Sequence, residues 1–159
     1  MKLNLGCGPH KIEGFQNWDL EHGQDLRKPF PIPSQSVEFI VTEHFVEHLT
    51  KSEAIAFFRE CYRVMDRSAI MLISMPDLAF LCRMHTENKI PYDGVWKPEN
   101  TCDMVNEGMR EWGHQYLWDE PELFKTLRNI GFREMKRLEE KPSVLVRPFC
   151  GDLIVSVSK

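Results

Sequence analysis

Apolar residues change their spacing along this chain, and the changes mark out elements. Lys2 to Leu5 is short and alternating, and Gly6-Cys7-Gly8-Pro9 breaks it, as a strand running into a glycine turn would read. Phe15 to Leu20 is a second candidate strand, with Asp19 near its end. Pro29, Pro31 and Pro33 punctuate a loop, and Val37 to Thr42 alternates and is β-branched, a third strand. Ser52 to Met65 carries apolar residues at helical spacing with a serine near its start. Ala69 to Met75 is a continuous apolar run, the pattern of a strand buried on both faces of a parallel sheet. Glu120 to Gly131 predicts a helix, with Pro121 in its first turn and Gly131 as its stop. Arg133 to Glu140 and Asp152 to Ser158 suit a closing pair of strands. Between them, residues 78–118 are interrupted by Pro91, Gly94, Pro98 and Gly108 and predict an irregular insertion with a short helix or two. Strands alternating with helices give an α/β fold with a mostly parallel sheet.

At 159 residues without a repeat or a low-complexity linker, residues 1–159 read as one domain. The formal net charge of -4 lends no support to a nucleic-acid partner, although net charge averages over the surface. No apolar run reaches the length of a membrane span, and Met1 to Cys7 has no extended apolar core of a leader. Five dispersed cysteines without a C-x-x-C pair suit reduced, mostly buried thiols, and a cytoplasmic protein is expected.

In open α/β sheets ligands bind beyond the carboxyl ends of the strands. Those ends here are Gly6-Cys7-Gly8, Asp19, Glu43-His44 and Pro76-Asp77. A glycine turn lets a ligand approach the backbone, and an acid after the second strand can accept both hydroxyls of a ribose. Pro9-His10-Lys11 follows Gly8, so the third glycine of the dinucleotide fingerprint is missing. The short stretch from Gly8 to Trp18 leaves little helix for a pyrophosphate. An adenosyl cofactor without phosphates fits better than a nicotinamide dinucleotide.

The segments "LNLGCGPHKIEGFQNWDL", "DLRKPFPIPSQSVEFIVTEHFVEHL", "FFRECYRVMDRSAIMLISMPDL" and "HQYLWDEPELFKTLRNIGF" resemble, in order and over nearly the whole chain, a class I S-adenosylmethionine-dependent methyltransferase of the small type 11 kind. The resemblance implies a Rossmann-like, mostly parallel seven-stranded sheet flanked by helices and truncated at the N-terminus. It also implies a substrate or lid insertion at about 78–118. It places Gly6, Cys7 and Gly8 under the amino-acid part of the cofactor, Asp19 on the ribose and Leu20 on the adenine. Asp25-Leu26 falls at the adenine edge, and Glu43-His44 along the cofactor. Asp77, Tyr116 and Trp118 fall to the substrate. The implied activity is methyl transfer to an oxygen or nitrogen of a small molecule, leaving S-adenosylhomocysteine. His44, His48 and His114 are the candidate bases for an oxygen acceptor. Trp96 and Trp112 join Tyr116 and Trp118 as possible walls of an aromatic pocket. Helices that usually precede the first strand are not present before Lys2, so a second copy of the chain could cover the cofactor. The alternative reading is a non-catalytic cofactor-binding or partner module of the same fold. Departures from the family pattern are the missing third glycine and Asp66-Arg67-Ser68 in place of a glycine turn.

The stretch Glu43-His44-Phe45-Val46-Glu47-His48-Leu49 contains His-x-x-Glu-His, the inverted zinc-protease motif. On a helix His44 and His48 would share a face. The resemblance instead puts Glu43-His44 in the loop after a strand, leaving Glu47-His48 to cap and pack a helix start. No metal is expected on that reading.

Overall fold

The computed structural model describes residues 1–91, 96–147 and 151–159. Gly94 and Cys150 of the sequence reading lie outside them.

The sheet contains β1 (Lys2–Leu5), β2 (Gln16–Trp18), β3 (Val37–Glu43), β4 (Met65–Pro76), β5 (Glu134–Arg137) and β6 (Asp152–Ser158), in the order β2-β1-β3-β4-β6-β5. β2, β1, β3 and β4 run parallel, and β6 lies antiparallel to both β4 and β5. The described residues therefore form six strands, as the pattern of apolar residues marks them, and a seventh is not confirmed. The stretch between β2 and β3 carries no strand. Three prolines there remove ladder donors, and the loop is held from outside. Arg63 donates to the carbonyls of Phe30 and Ile32 at 2.9 and 3.0 Å, and Glu60 accepts the Phe30 amide at 2.7 Å.

Helix α1 (Lys51–Val64) starts at a capping box of Thr50 and Glu53, two residues ahead of the serine that the pattern suggested. Glu47 and His48 do not cap it; they close a separate single 3-10 turn, Val46–His48. Ala54, Phe57, Phe58, Cys61 and Val64 form its buried stripe. β4 runs longer than the apolar run because Asp66-Arg67-Ser68 is absorbed as an irregularity at its start, where the register on β3 shifts. Asp66 Oδ1 accepts from both the amide and the hydroxyl of Ser68, which does the work of a glycine turn.

The 78–118 stretch holds α2 (Leu78–Thr86) and α3 (Thr101–Arg110). They close on each other at Gly108, where an added Cβ would sit 2.8 Å from Leu81 Cδ1. Helix α4 (Glu120–Ile130) is capped by Asp119 and ends at Gly131 with φ of 126°. Cys7 and Cys61 are buried, but Cys82 and Cys102, on α2 and α3, are exposed. Among the described residues no helix is long and apolar enough to cross a membrane.

Candidate functional site

All four parallel strands end on one side of the sheet, and two neighbouring cavities open there. The smaller, about 170 Å³, is lined by residues that include Asp19, Leu20, Gln24, Asp25, Leu26 and Phe45. The larger, about 340 Å³, is lined by His44, Glu47, Asp77, His114 and Asp152, with Trp96 and Trp112 from the 78–118 stretch. His48 lines both, so it marks their junction.

The turn after β1 needs its glycines. Gly6 has φ of 72°, and an added Cβ there would lie 2.3 Å from Phe45 Cγ. Gly8 has φ of 48°, with only the Arg147 guanidinium nearby, 3.8 Å from the Cβ position. Asp19 accepts the Gly8 amide on Oδ2 at 2.9 Å and the Glu21 amide on Oδ1 at 3.1 Å. Leu20 beside it is 63 % exposed, and Leu26 is buried. Gln24 Oε1 is buried without a hydrogen-bond partner. Asp25 is clasped by Arg27 through bonds of 2.8 and 3.1 Å. That clasp lowers its pKa to about 2.

Glu43, read as a cofactor residue, is committed elsewhere. It is buried at the end of β3, and its two oxygens accept the amides of Arg147 and Val146 at 3.0 Å each. His44 follows in the left-handed region, φ of 51°, which ends the strand and swings its ring toward β6. His44 Nε2 meets Asp152 Oδ2 at 2.9 Å, and Nδ1 lies 3.3 Å from Glu47 Oε1. Burial opposes charge on this ring, but the hydrogen bond to Asp152 and the nearby Glu47 carboxylate outweigh it and push its pKa up to about 10. Burial raises Asp152 as well. A carboxylate faces each ring nitrogen, an arrangement that favours the imidazolium form of His44.

Glu47 is almost wholly buried, and neither of its oxygens makes a hydrogen bond. The 3.3 Å approach of His44 is an ion-pair distance at an angle too poor for one. His114 Nδ1 lies 2.8 Å from the Gly108 carbonyl, so that nitrogen donates, and in the neutral tautomer this selects, Nε2, 4.0 Å from Glu47 Oε1, carries the lone pair. His48 and His114 stand ring to ring at 5.0 Å and 72°. Burial lowers the His48 pKa, against the pull of the Glu47 charge.

Asp77 lines the larger cavity, caps α2 through the Ala79 amide and pairs with Arg137 at 2.9 Å. Tyr116 and Trp118 line neither cavity. Trp118 is fully buried in the core against Phe58, and Tyr116 stacks edge-on against it at 4.8 Å. Their apolar bulk is used for packing, and Trp96 and Trp112 are the aromatic residues on the cavity wall.

No protein-family model matches the sequence, and no curated protein matches it. Solved structures do match. A SAM-dependent methyltransferase from Archaeoglobus fulgidus aligns over 99% of this chain and 85% of its own, at 15% identity and a TM-score of 0.58. A possible histamine N-methyltransferase from Thermotoga maritima covers 99% and 81% at 15% identity and 0.60. A putative methyltransferase from Haloferax volcanii, solved with the activator Trm112, covers 99% and 81% at 9% identity and 0.62. The fold is that of the class I SAM-dependent methyltransferases.

The first turn, Asp19 and the Glu43-His44 loop lie at the ends of β1, β2 and β3, the positions that the apolar pattern gave them. Three cavity residues were missed. Asp152 is 108 residues from His44 and opens a strand whose pattern is otherwise only apolar. Arg147 follows a loop without periodicity, and Glu47 read as a cap. Only tertiary pairing brings Asp152 and Arg147 to the site, whereas Glu47 arrives with the loop that carries His44.

Proposed function

We propose that this chain is an S-adenosylmethionine-dependent methyltransferase that acts on an oxygen or nitrogen of a small molecule. The observation that carries the reading is the joined unit at the ends of β1 and β2. A left-handed glycine turn is tied to Asp19, and the exposed Leu20 and the unpartnered Gln24 Oε1 border the same cavity. Each Asp19 oxygen accepts one backbone bond and retains a lone pair for a ribose hydroxyl. Leu20 offers an apolar face to adenine. Gln24 offers an acceptor to its amine, a role for which Asp25 is less free because Arg27 holds it. Arg147 beside Gly8 suits the amino-acid carboxylate.

When bound, the cofactor supplies a methyl carbon made electrophilic by its sulfonium. The protein then has to align an acceptor lone pair with that carbon and exclude water. The acceptor enters the larger cavity, whose volume is in the range of small-molecule sites. Helices α2 and α3 form its cover and select the acceptor. His44 has a carboxylate on each ring nitrogen, so it positions rather than takes a proton. His48 and His114 are left to face an acceptor oxygen. The cytoplasm is the proposed compartment.

The test is transfer of isotope-labelled methyl from S-adenosylmethionine to a small-molecule extract, run beside calorimetry with S-adenosylhomocysteine. Binding with labelled product supports the enzyme. Binding without product across acceptor classes would favour a non-catalytic module, and no binding would remove both.

A further inference from the structure

We infer that Glu47, His48 and His114 form a binding site for a divalent transition-metal ion. The inference rests on the geometry of the larger cavity and not on the methyl-transfer reading. Each of the three offers one ligand atom, and these atoms all lie within 4.8 Å of one another. Ligands on a tetrahedral ion with bonds of about 2.0–2.1 Å lie roughly 3.4 Å apart, so side-chain rotations of about an ångström close the set.

A second observation points to a ligand. The Glu47 side chain is 1% exposed, yet neither carboxylate oxygen has a hydrogen bond. Buried carboxylates without hydrogen bonds are costly unless something cationic meets them. His44 Nδ1 comes within 3.3 Å of one oxygen without making a hydrogen bond, and the other oxygen is left unmet. A cation shared with the two imidazoles satisfies both oxygens' surroundings.

The imidazoles are prepared for it. The Gly108 carbonyl fixes the His114 tautomer, so that its Nε2 presents a lone pair on the Glu47 side. Such outer hydrogen bonds orient histidine ligands in metal sites. His48 stands edge to face with His114, so the two rings are not stacked away from a common point. All three side chains line the cavity, so the remaining coordination positions open into it. Two imidazoles, one carboxylate and open positions suit zinc, cobalt, iron(II) or manganese, while magnesium and calcium prefer oxygen sets.

This revises the expectation of a metal-free site. That expectation rested on His44 and His48 lying apart, and they do serve different partners. In this proposal His114, 66 residues downstream of His48, takes the place of His44, and Glu47, read as a helix cap, becomes a ligand. An ion here would take over the activation of an acceptor oxygen from free imidazoles.

The test is titration of the chelator-treated full chain, without cofactor, using cobalt(II) followed by its visible absorption and zinc(II) by calorimetry. One equivalent is expected to bind. Glu47→Gln and His114→Asn are each expected to weaken binding at least tenfold, and the exposed His85→Asn to leave it unchanged. Melting with and without zinc is read in parallel. The wild type should gain stability with zinc, and folded Glu47→Gln should not. No saturable binding below millimolar, or binding that survives both substitutions, would overturn the site. So would binding lost in Cys7→Ser or His22→Asn but kept in Glu47→Gln, because Cys7 Sγ and His22 Nδ1 form the competing pair at 3.8 Å. Binding of a small organic ammonium in place of cobalt or zinc would likewise replace the metal with a substrate cation.

Discussion

Gly8 donates its amide to Asp19 Oδ2 at 2.9 Å, eleven residues away, so the turn after β1 and the acid after β2 are one rigid unit. The carboxylate is thus aimed before any ligand arrives. Preorganised acceptors lose less freedom on binding than mobile ones.

The two glycines of that turn should respond differently to substitution. Gly6→Ala forces a Cβ to within 2.3 Å of Phe45 on top of a left-handed backbone. A destabilisation of about 2–4 kcal/mol is expected from strain plus overpacking. Gly8→Ala meets only the flexible end of Arg147 and should cost about 1–2 kcal/mol of left-handed strain. Urea unfolding of both variants checks this; equal losses would show that Phe45 does not pack on Gly6.

The tryptophans divide between core and cavity. Trp118→Ala should cost about 3–5 kcal/mol, because the side chain is fully buried. Trp112 is 59% exposed, and its alanine variant should lie within about 0.5 kcal/mol of wild type. Once an acceptor is known, Trp112→Ala should raise its KM. Thermal melting and acceptor kinetics separate the two roles, and a large stability loss at Trp112 would contradict them.

Acid should loosen the proline loop. The bond from Arg63, helped against burial by the Phe30 amide, holds the Glu60 carboxyl below its usual range. A depressed carboxylate pKa contributes stability that is present above the unfolded value, about 4.3. That contribution is lost as pH falls through the lower folded value. Glu60→Gln should therefore lower the urea midpoint at pH 7, with the difference from wild type shrinking below pH 4. A constant difference from pH 7 to pH 3 would place the effect elsewhere.

Much of this fold was legible because the strands are short, apolar and broken by glycine, proline or aspartate. Leu5-Gly6 and Pro76-Asp77 end strands for local reasons, so their place at the site could be read. The resemblance assigns Trp118 to the substrate, but it is buried in the core; an aromatic residue has the same appearance in a core as on a pocket wall. Glu47 and His114 are 67 residues apart, and nothing local couples them. The irregular start of β4 was hidden for a similar reason: Asp66 replaces a glycine by bonding Ser68, and the sequence shows only that the glycine is missing.

The adenosyl site is tested most directly by calorimetric titration of S-adenosylhomocysteine into wild type and Asp19→Ala, each checked for folding by circular dichroism. Wild type should bind at micromolar order, about -8 kcal/mol. The variant should bind about 1–3 kcal/mol more weakly, having lost the charged acceptor for the ribose. Superimposable titration curves from the two folded proteins, or no binding by wild type, would contradict the assignment.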